Sequence, residues 1–162
     1  MVHQGGAMTA TPVIDGWFTT GEAAALLGTR CTSCATVYFP RETGFCRNPA
    51  CSGEEFETYE FSRTGTVWSY TDAQYQPPPP YIPASESHEP FAIAAVQLPE
   101  GLVVLGQVAT GFGVTDLQVG AQVELVVETL YVDESGERTI WRWRPASSVE
   151  STGTVENMGA RA

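Results

Sequence analysis

CTSCATVYFPRETGFCRNPAC, residues 31–51, holds all four cysteines of a 162-residue chain. The spacing is Cys31-x2-Cys34, eleven residues, then Cys46-x4-Cys51. Two close thiol pairs at the ends of a short hairpin suit a tetrahedral metal site. Each pair sits on a tight knuckle, and two knuckles close round one ion. Thiolate is a soft, charged ligand that matches zinc, with iron in a rubredoxin-like cage as the competitor. Four protein ligands leave no open coordination position, so the expected metal is structural. Val37-Tyr38-Phe39-Pro40 supplies the apolar residues of this small lobe. Metal binding then contributes most of its folding energy, on the order of 10 kcal/mol. Two disulfides fit the same cysteine count but belong to an oxidising compartment. A CxxC redox pair belongs in a βαβ setting, and no such pattern surrounds Cys31 and Cys34.

Composition sets the outer bounds. The length suits one domain plus a small appendage, and such a chain buries about 70% of the surface its unfolded form exposes. Disulfides are therefore not needed for folding. Eight arginines and no lysines face nineteen acidic residues, for a net charge of −11. That balance works against adhesion to nucleic acid or to an anionic membrane. The start, MVHQGGAMTATPVIDG, shows no basic region followed by an apolar run, so no secretory signal is expected. The longest apolar runs, Phe91–Val96 and Leu102–Leu105, are too short to span a bilayer. A soluble cytoplasmic protein is the expectation.

Thr19-Thr20-Gly21-Glu22 has the form of a capping box, with Thr19 at the N-cap and Glu22 reaching back. Ala23–Leu27 are good helix formers, and Gly28 stands where a helix would stop. A two-turn helix leading to Cys31 is expected. Beyond Cys51 the texture changes to strands. Glu55–Phe61, Thr66–Gln74, Phe91–Leu98, Leu102–Ala109, Gln122–Val132 and Arg138–Arg144 are rich in aromatic and β-branched residues. Pro99-Glu100-Gly101 joins one hairpin, and Asp133–Glu137 joins another. Gln76–Pro90 carries six prolines, so it cannot be a central strand. About six strands with short turns imply a small antiparallel barrel. The expected fold is mainly β: a short helix and a rubredoxin-like zinc ribbon, then an oligonucleotide/oligosaccharide-binding (OB) barrel. The expected division is a flexible start (1–15), the helix and ribbon (16–54), the barrel (55–146) and a flexible tail (147–162).

No nucleophile elbow, phosphate loop or complete dinucleotide fingerprint is present in the sequence. Of two histidines, His3 lies in the start, and His88 lies in the proline-rich stretch. His88 is either a solvated loop residue or a polar group lining a substrate passage. Trp141 and Trp143 alternate with Arg142 and Arg144, so the indoles share one strand face and the guanidiniums the other. The arginine face is either solvated or suited to an anionic partner or a coenzyme A (CoA) phosphate.

Several segments resemble the acyl-CoA-associated family once labelled domain of unknown function 35 (DUF35). They are Leu26–Cys34, Tyr38-Phe39-Pro40-Arg41, Cys46…Cys51, Gly65–Thr71, Pro90–Gly101 and Val119–Val123. The likeness covers Phe18 to Pro145. Two departures stand out: Ala35 follows Cys34 where the family usually has glycine, and the second knuckle is longer than CPxC. The resemblance implies a partner for a thiolase-like enzyme. Such partners include acetyltransferases of the Claisen type, hydroxymethylglutaryl-CoA synthase assemblies and steroid side-chain aldolases of lipid degradation. The aldolase cleaves a steroidal β-hydroxyacyl-CoA in a retro-aldol step. A hetero-oligomer is implied, with acyl-CoA at a shared site, the catalytic groups on the thiolase-like subunit and none here. Tyr75, Tyr81 and Phe91 are the aromatic candidates for that interface, with His88, Arg142 and Arg144 as further contacts to substrate or partner. The rival class, a single-stranded nucleic-acid binder, needs a basic groove with aromatic platforms. Eight arginines against nineteen acids supply one poorly.

Overall fold

The computed structural model describes residues 10–83 and 86–146. The outer parts of the two expected flexible ends, residues 1–9 and 147–162, lie outside the described residues. The strands are β1 (Thr11–Pro12), β2 (Leu27–Cys31), β3 (Val37–Tyr38), β4 (Phe56–Glu60), β5 (Thr64–Ala73), β6 (Phe91–Gln97), β7 (Val103–Gln107), β8 (Gln122–Asp133) and β9 (Gly136–Pro145). They form a six-stranded sheet in the order β1-β9-β8-β5-β6-β7 and a three-stranded sheet in the order β3-β2-β4.

Strands β5 to β9 make the barrel. β5, β6 and β7 run as an antiparallel meander, and β8 returns to pair with the start of β5, Gly65 opposite Val123. The sheet closes on itself through a parallel bridge between Val108 and Trp143, where the Ala109 amide donates to the Trp143 carbonyl at 2.9 Å. This five-stranded closure is that of an OB barrel. Strand alternation explains the core. Val67, Val96, Val104, Val123, Leu125 and Trp143 point inward and are buried. Trp141 and Trp143 do share the inner face, as their spacing requires.

The expected helix before Cys31 does not form. Phe18 bridges Leu26 in antiparallel fashion, and residues 19–25 make the loop of that small hairpin. The Thr19 hydroxyl accepts from the Ala25 amide at 2.9 Å, so it caps a loop closure instead of a first helical turn. Gly21 has φ +96, which breaks helical geometry two residues after the supposed cap. Ala24 and Leu26 are buried in the main core. Burial of their side chains therefore overrides the local preference of Ala23–Leu27 for helix.

Gly28, expected to terminate that helix, lies inside β2. A Cβ there would stand 2.1 Å from the Tyr38 carbonyl oxygen and 2.5 Å from Phe61 Cε2. The residue is glycine because two neighbours press against its backbone. Two further differences concern how the parts join. Thr11–Pro12, within the start expected to be flexible, pairs in parallel with Arg138–Thr139 of β9, and Ile14 packs on the core. The ribbon also packs directly on the barrel. Phe39 stands edge-on to Trp17, Phe61 and Trp141, with ring centroids 5.4, 6.1 and 6.1 Å away. Val37, Phe39 and Tyr59 of the ribbon sheet and its loops thus pack against the same apolar core as the barrel strands.

Candidate metal centre and aromatic cluster

The ribbon sheet brings the thiols together. Cys31 ends β2, and its amide donates to the Thr36 carbonyl at 2.9 Å, closing the first knuckle. The Ala35 amide donates to the Cys31 carbonyl at 2.9 Å across the same turn. Ala35 has φ +61, the left-handed region that the turn demands and that glycine occupies without strain. In the wider second knuckle, Asn48-Pro49-Ala50 forms a turn. The Cys51 amide donates to the Asn48 carbonyl at 2.9 Å, and the Ala50 amide donates to Asn48 Oδ1 at 3.0 Å. Pro49 occupies the turn position that its fixed φ suits. The extra residues therefore fold into a turn that returns Cys51 to the cage. The loop before Cys46 is pinned at buried Thr29, whose hydroxyl donates to the Glu42 carbonyl and accepts from the Glu42 amide, both at 2.9 Å.

The four Sγ atoms lie within 4.8 Å of one another. Cys31 and Cys51 are 3.9 Å apart, and Cys34 and Cys46 are 3.5 Å apart. Zinc–sulfur bonds of about 2.3 Å at tetrahedral angles place sulfurs about 3.8 Å apart, so the spacing fits one ion and is far too wide for disulfides. All four cysteines are free. Donors surround the sulfurs. The Gly53 amide donates to Cys51 Sγ at 3.3 Å, Tyr38 Oη stands 3.1 Å from Cys46 Sγ, and the Thr36 hydroxyl stands 3.1 Å from Cys34 Sγ. Such bonds orient ligand atoms and stabilise thiolate charge.

The thiols' acidities diverge accordingly. The Thr36 hydroxyl and amide pull the Cys34 thiol down to about 6. At Cys51 the Gly53 amide pulls downward, but burial and the other three thiols outweigh it and push the group up to about 12. The hydrogen bond to Cys46 raises the Tyr38 hydroxyl. A bound cation favours the thiolate form of each sulfur it touches. Thr36 and Gly53 escaped the sequence reading, and Tyr38 entered it only as an apolar residue of the lobe and in a family-like segment, not as a partner of a thiol. Their proximity to the cysteines in sequence was the only available signal.

The remaining candidates divide. The Tyr81 and Phe91 rings stack at 5.4 Å with 11° between planes, and the His88 ring stands edge-on to Phe91 at 6.0 Å. His88 Nε2 also bonds the Ala73 carbonyl at 2.9 Å. The proline-rich segment thus folds its aromatic residues onto the start of β6. Tyr75 stands apart from them, 73% exposed. Arg142 and Arg144 lie on the outer face of β9, and both already face carboxylates. Arg142 Nε is 3.0 Å from Glu128, and Arg144 meets Glu124, opposite it on β8, at 2.6 Å. A phosphate at either arginine would have to displace a carboxylate.

Residues 24–57 match the family described as "ChsH2, rubredoxin-like zinc ribbon domain", and residues 58–128 match "ChsH2, C-terminal OB-fold domain". A DUF35 domain-containing scaffold protein of Methanocaldococcus jannaschii is 33% identical over 122 residues, covering 75% of this chain and 80% of the relative. The chain belongs to the DUF35 family. Another relative, the benzoylsuccinyl-CoA thiolase subunit BbsA of Thauera aromatica, is 31% identical over 116 residues, 72% of each chain. Among solved structures, a chain of the Ltp2-ChsH2(DUF35) aldolase superposes with a TM-score of 0.56 at 28% identity, covering 75% of this chain and 84% of that one. The DUF35 ribbon with its four cysteines and the DUF35 barrel are both present here. Among the described residues, no helix is long and apolar enough to cross a membrane.

Proposed function

We propose that the chain is a non-catalytic accessory subunit that docks on a thiolase-like acyl-CoA enzyme, with zinc as its structural metal. One observation carries the proposal. The cluster of ligating side chains is a closed four-thiolate cage, which has no position left for substrate, and relatives of the same architecture are named as a scaffold, a thiolase subunit and an aldolase component. The catalytic groups then reside on the partner, in the cytoplasm. The stacked Tyr81, Phe91 and His88, with exposed Tyr75, are the residues proposed to meet the partner or the acyl-CoA passage between the chains.

The sharper form of the proposal is a retro-aldolase acting on a steroid side-chain β-hydroxyacyl-CoA. The β-hydroxyl loses its proton, the Cα–Cβ bond breaks, and the departing α-carbon takes up a proton. The alternative is a Claisen-type thiolase complex, which the BbsA relative favours by name. Coexpression of tagged chain with candidate thiolase-like proteins, followed by capture, metal analysis and assays with β-hydroxyacyl-CoA and β-ketoacyl-CoA substrates, separates these. Turnover that requires both chains supports the proposal. A chain that stays monomeric beside each candidate, or that turns over substrate alone, overturns it.

A further inference from the structure

We propose that the indole N–H groups of Trp141 and Trp143 share one oxygen acceptor, a water molecule held beside Gly106 where β7 meets β9. Trp141 is 8% exposed and Trp143 is fully buried. Both Nε1 atoms are buried as well, and among the described residues neither meets a hydrogen-bond acceptor. An indole N–H can only donate. In a buried tryptophan it usually finds a partner, because a donor taken out of water and left unpaired loses its hydration with no return.

The two donors lie around a single point. A Cβ at Gly106 would stand 2.8 Å from Trp143 Nε1 and 3.0 Å from Trp141 Nε1. The nitrogens are therefore no farther apart than those two distances added, a span that one oxygen can bridge at ordinary N–H···O lengths. Gly106 lies inside β7 and is not among the glycines with positive φ. What the site uses is its lack of a side chain and not its backbone freedom. A methyl group there would press on both nitrogens at once.

Room and chemistry favour water as the occupant. Gly106 and Trp141 line a cleft of about 500 Å³, together with Gln107, Leu130 and others. A buried water makes about three hydrogen bonds. The indoles supply two, and the amide of Gln107, in the same cleft, carries an acceptor for a third. No charged residue lines the cleft, so an anion would enter without a counter-charge and at a heavy desolvation cost. An aromatic face is the rival acceptor. Trp141 has Phe18, Trp17 and Phe39 beside it, with ring centroids 5.5, 6.0 and 6.1 Å away. Among the described residues no such ring contact involves Trp143, so a ring face leaves that donor unserved. Through Gln107 on β7 and the indoles on β9, the water adds a link between strands otherwise joined at the Val108–Trp143 bridge and the Ala109 amide.

The test uses the full-length, metal-loaded, isotope-labelled chain and NMR, with water-selected Overhauser spectra read at the indole Hε1 protons. Expected is a contact from both Trp141 and Trp143 Hε1 to a long-lived water, with the sign of a molecule that tumbles with the protein. Trp68, 62% exposed, supplies the comparison for short-lived surface hydration. Gly106→Ala should abolish the contact at both indoles while circular dichroism keeps its strand signature. Should that variant fail to fold, the spectra of the parent chain decide by themselves. Contact at one indole only, at neither, or only of the short-lived kind seen at Trp68 overturns the proposal. So does a folded Gly106→Ala protein that keeps either contact. An upfield-shifted Hε1 without a water contact would identify a ring face as the acceptor and overturn it equally.

Discussion

Gly28→Ala is the substitution with the largest consequence relative to its size. The added Cβ would lie 2.1 Å from the Tyr38 carbonyl oxygen and 2.5 Å from Phe61 Cε2. Neither neighbour yields easily. Tyr38 O is backbone of β3, and Phe61 is 2% exposed within the core. Restoring ordinary contact requires β2 and β3 to part by about 1 Å, and overpacking of this kind costs about 1–3 kcal/mol. Two rigid contacts place this case near the upper figure. For a chain of this length, about 3 kcal/mol lowers the melting temperature by roughly 6–12 °C. The metal centre should feel it as well, because β2 ends in Cys31 and β3 carries Tyr38, whose hydroxyl reaches Cys46. Melting curves and metal content are the assays, with Gly21→Ala as the comparison. Gly21 has φ +96 and nothing within 4 Å of a Cβ, so alanine there costs conformational strain alone, about 1 kcal/mol. A Gly28→Ala protein that melts within about 2 °C of the parent and keeps its full metal would refute the close approach of β2 to β3.

Ala35→Gly should stabilise the first knuckle. Relief of a left-handed alanine at φ +61 is worth about 1–2 kcal/mol, offset by about 0.5–1 kcal/mol of glycine entropy, and an unchanged or lower melting temperature would contradict this. In metal-stripped protein at pH 7, Cys34, held at about 6, should be alkylated well before Cys51, pushed up to about 12. Its rate should fall as pH drops through about 6, whereas equal rates by mass spectrometry would count against the assigned hydrogen bonds. Asp133 is held at about 2, first by the Ser135 hydroxyl and then by Arg138. A depressed carboxyl stabilises the fold fully above its usual 3.8 and loses that effect as pH falls through about 2. Asp133→Asn should therefore lower stability at pH 7 more than at pH 2, and a pH-independent difference would exclude this origin. Single-stranded nucleic acid should show no low-salt gel shift, since Arg30, Arg47, Arg138, Arg142 and Arg144 all face carboxylates. A salt-sensitive complex would prove otherwise.

The metal cage was legible because ligand spacing is a local property. Two knuckles must each bring two sulfurs to one ion, and Cys31, Cys34, Cys46 and Cys51 record that requirement in the linear chain. The outward arginines and inward tryptophans of β9 were legible for the same reason, since strand alternation has a period of two. The barrel strands followed from apolar, β-branched runs broken by turn residues. Tyr81, His88 and Phe91 were named from residue type, but only the folded chain shows that they stack together and that Tyr75 stands away.

What the order of residues determined, then, was a set of features fixed by neighbours a few positions apart: the thiol pairs, the strand faces, the two hairpin turns of the barrel and the exclusion of the proline-rich stretch from the sheet. What tertiary structure decided was each feature set by distant contact. Ala23–Leu27 have helical propensity worth tenths of a kcal/mol per residue, yet burial of Ala24 and Leu26 against the barrel core is worth more. Gly28 looked like a helix stop until Tyr38 and Phe61 were seen pressing on it. Leu130, at a bulge of β8, and Gly106 of β7 line the same cleft. These positions are 24 residues apart in the chain, and nothing in the linear pattern announces that they line one cleft.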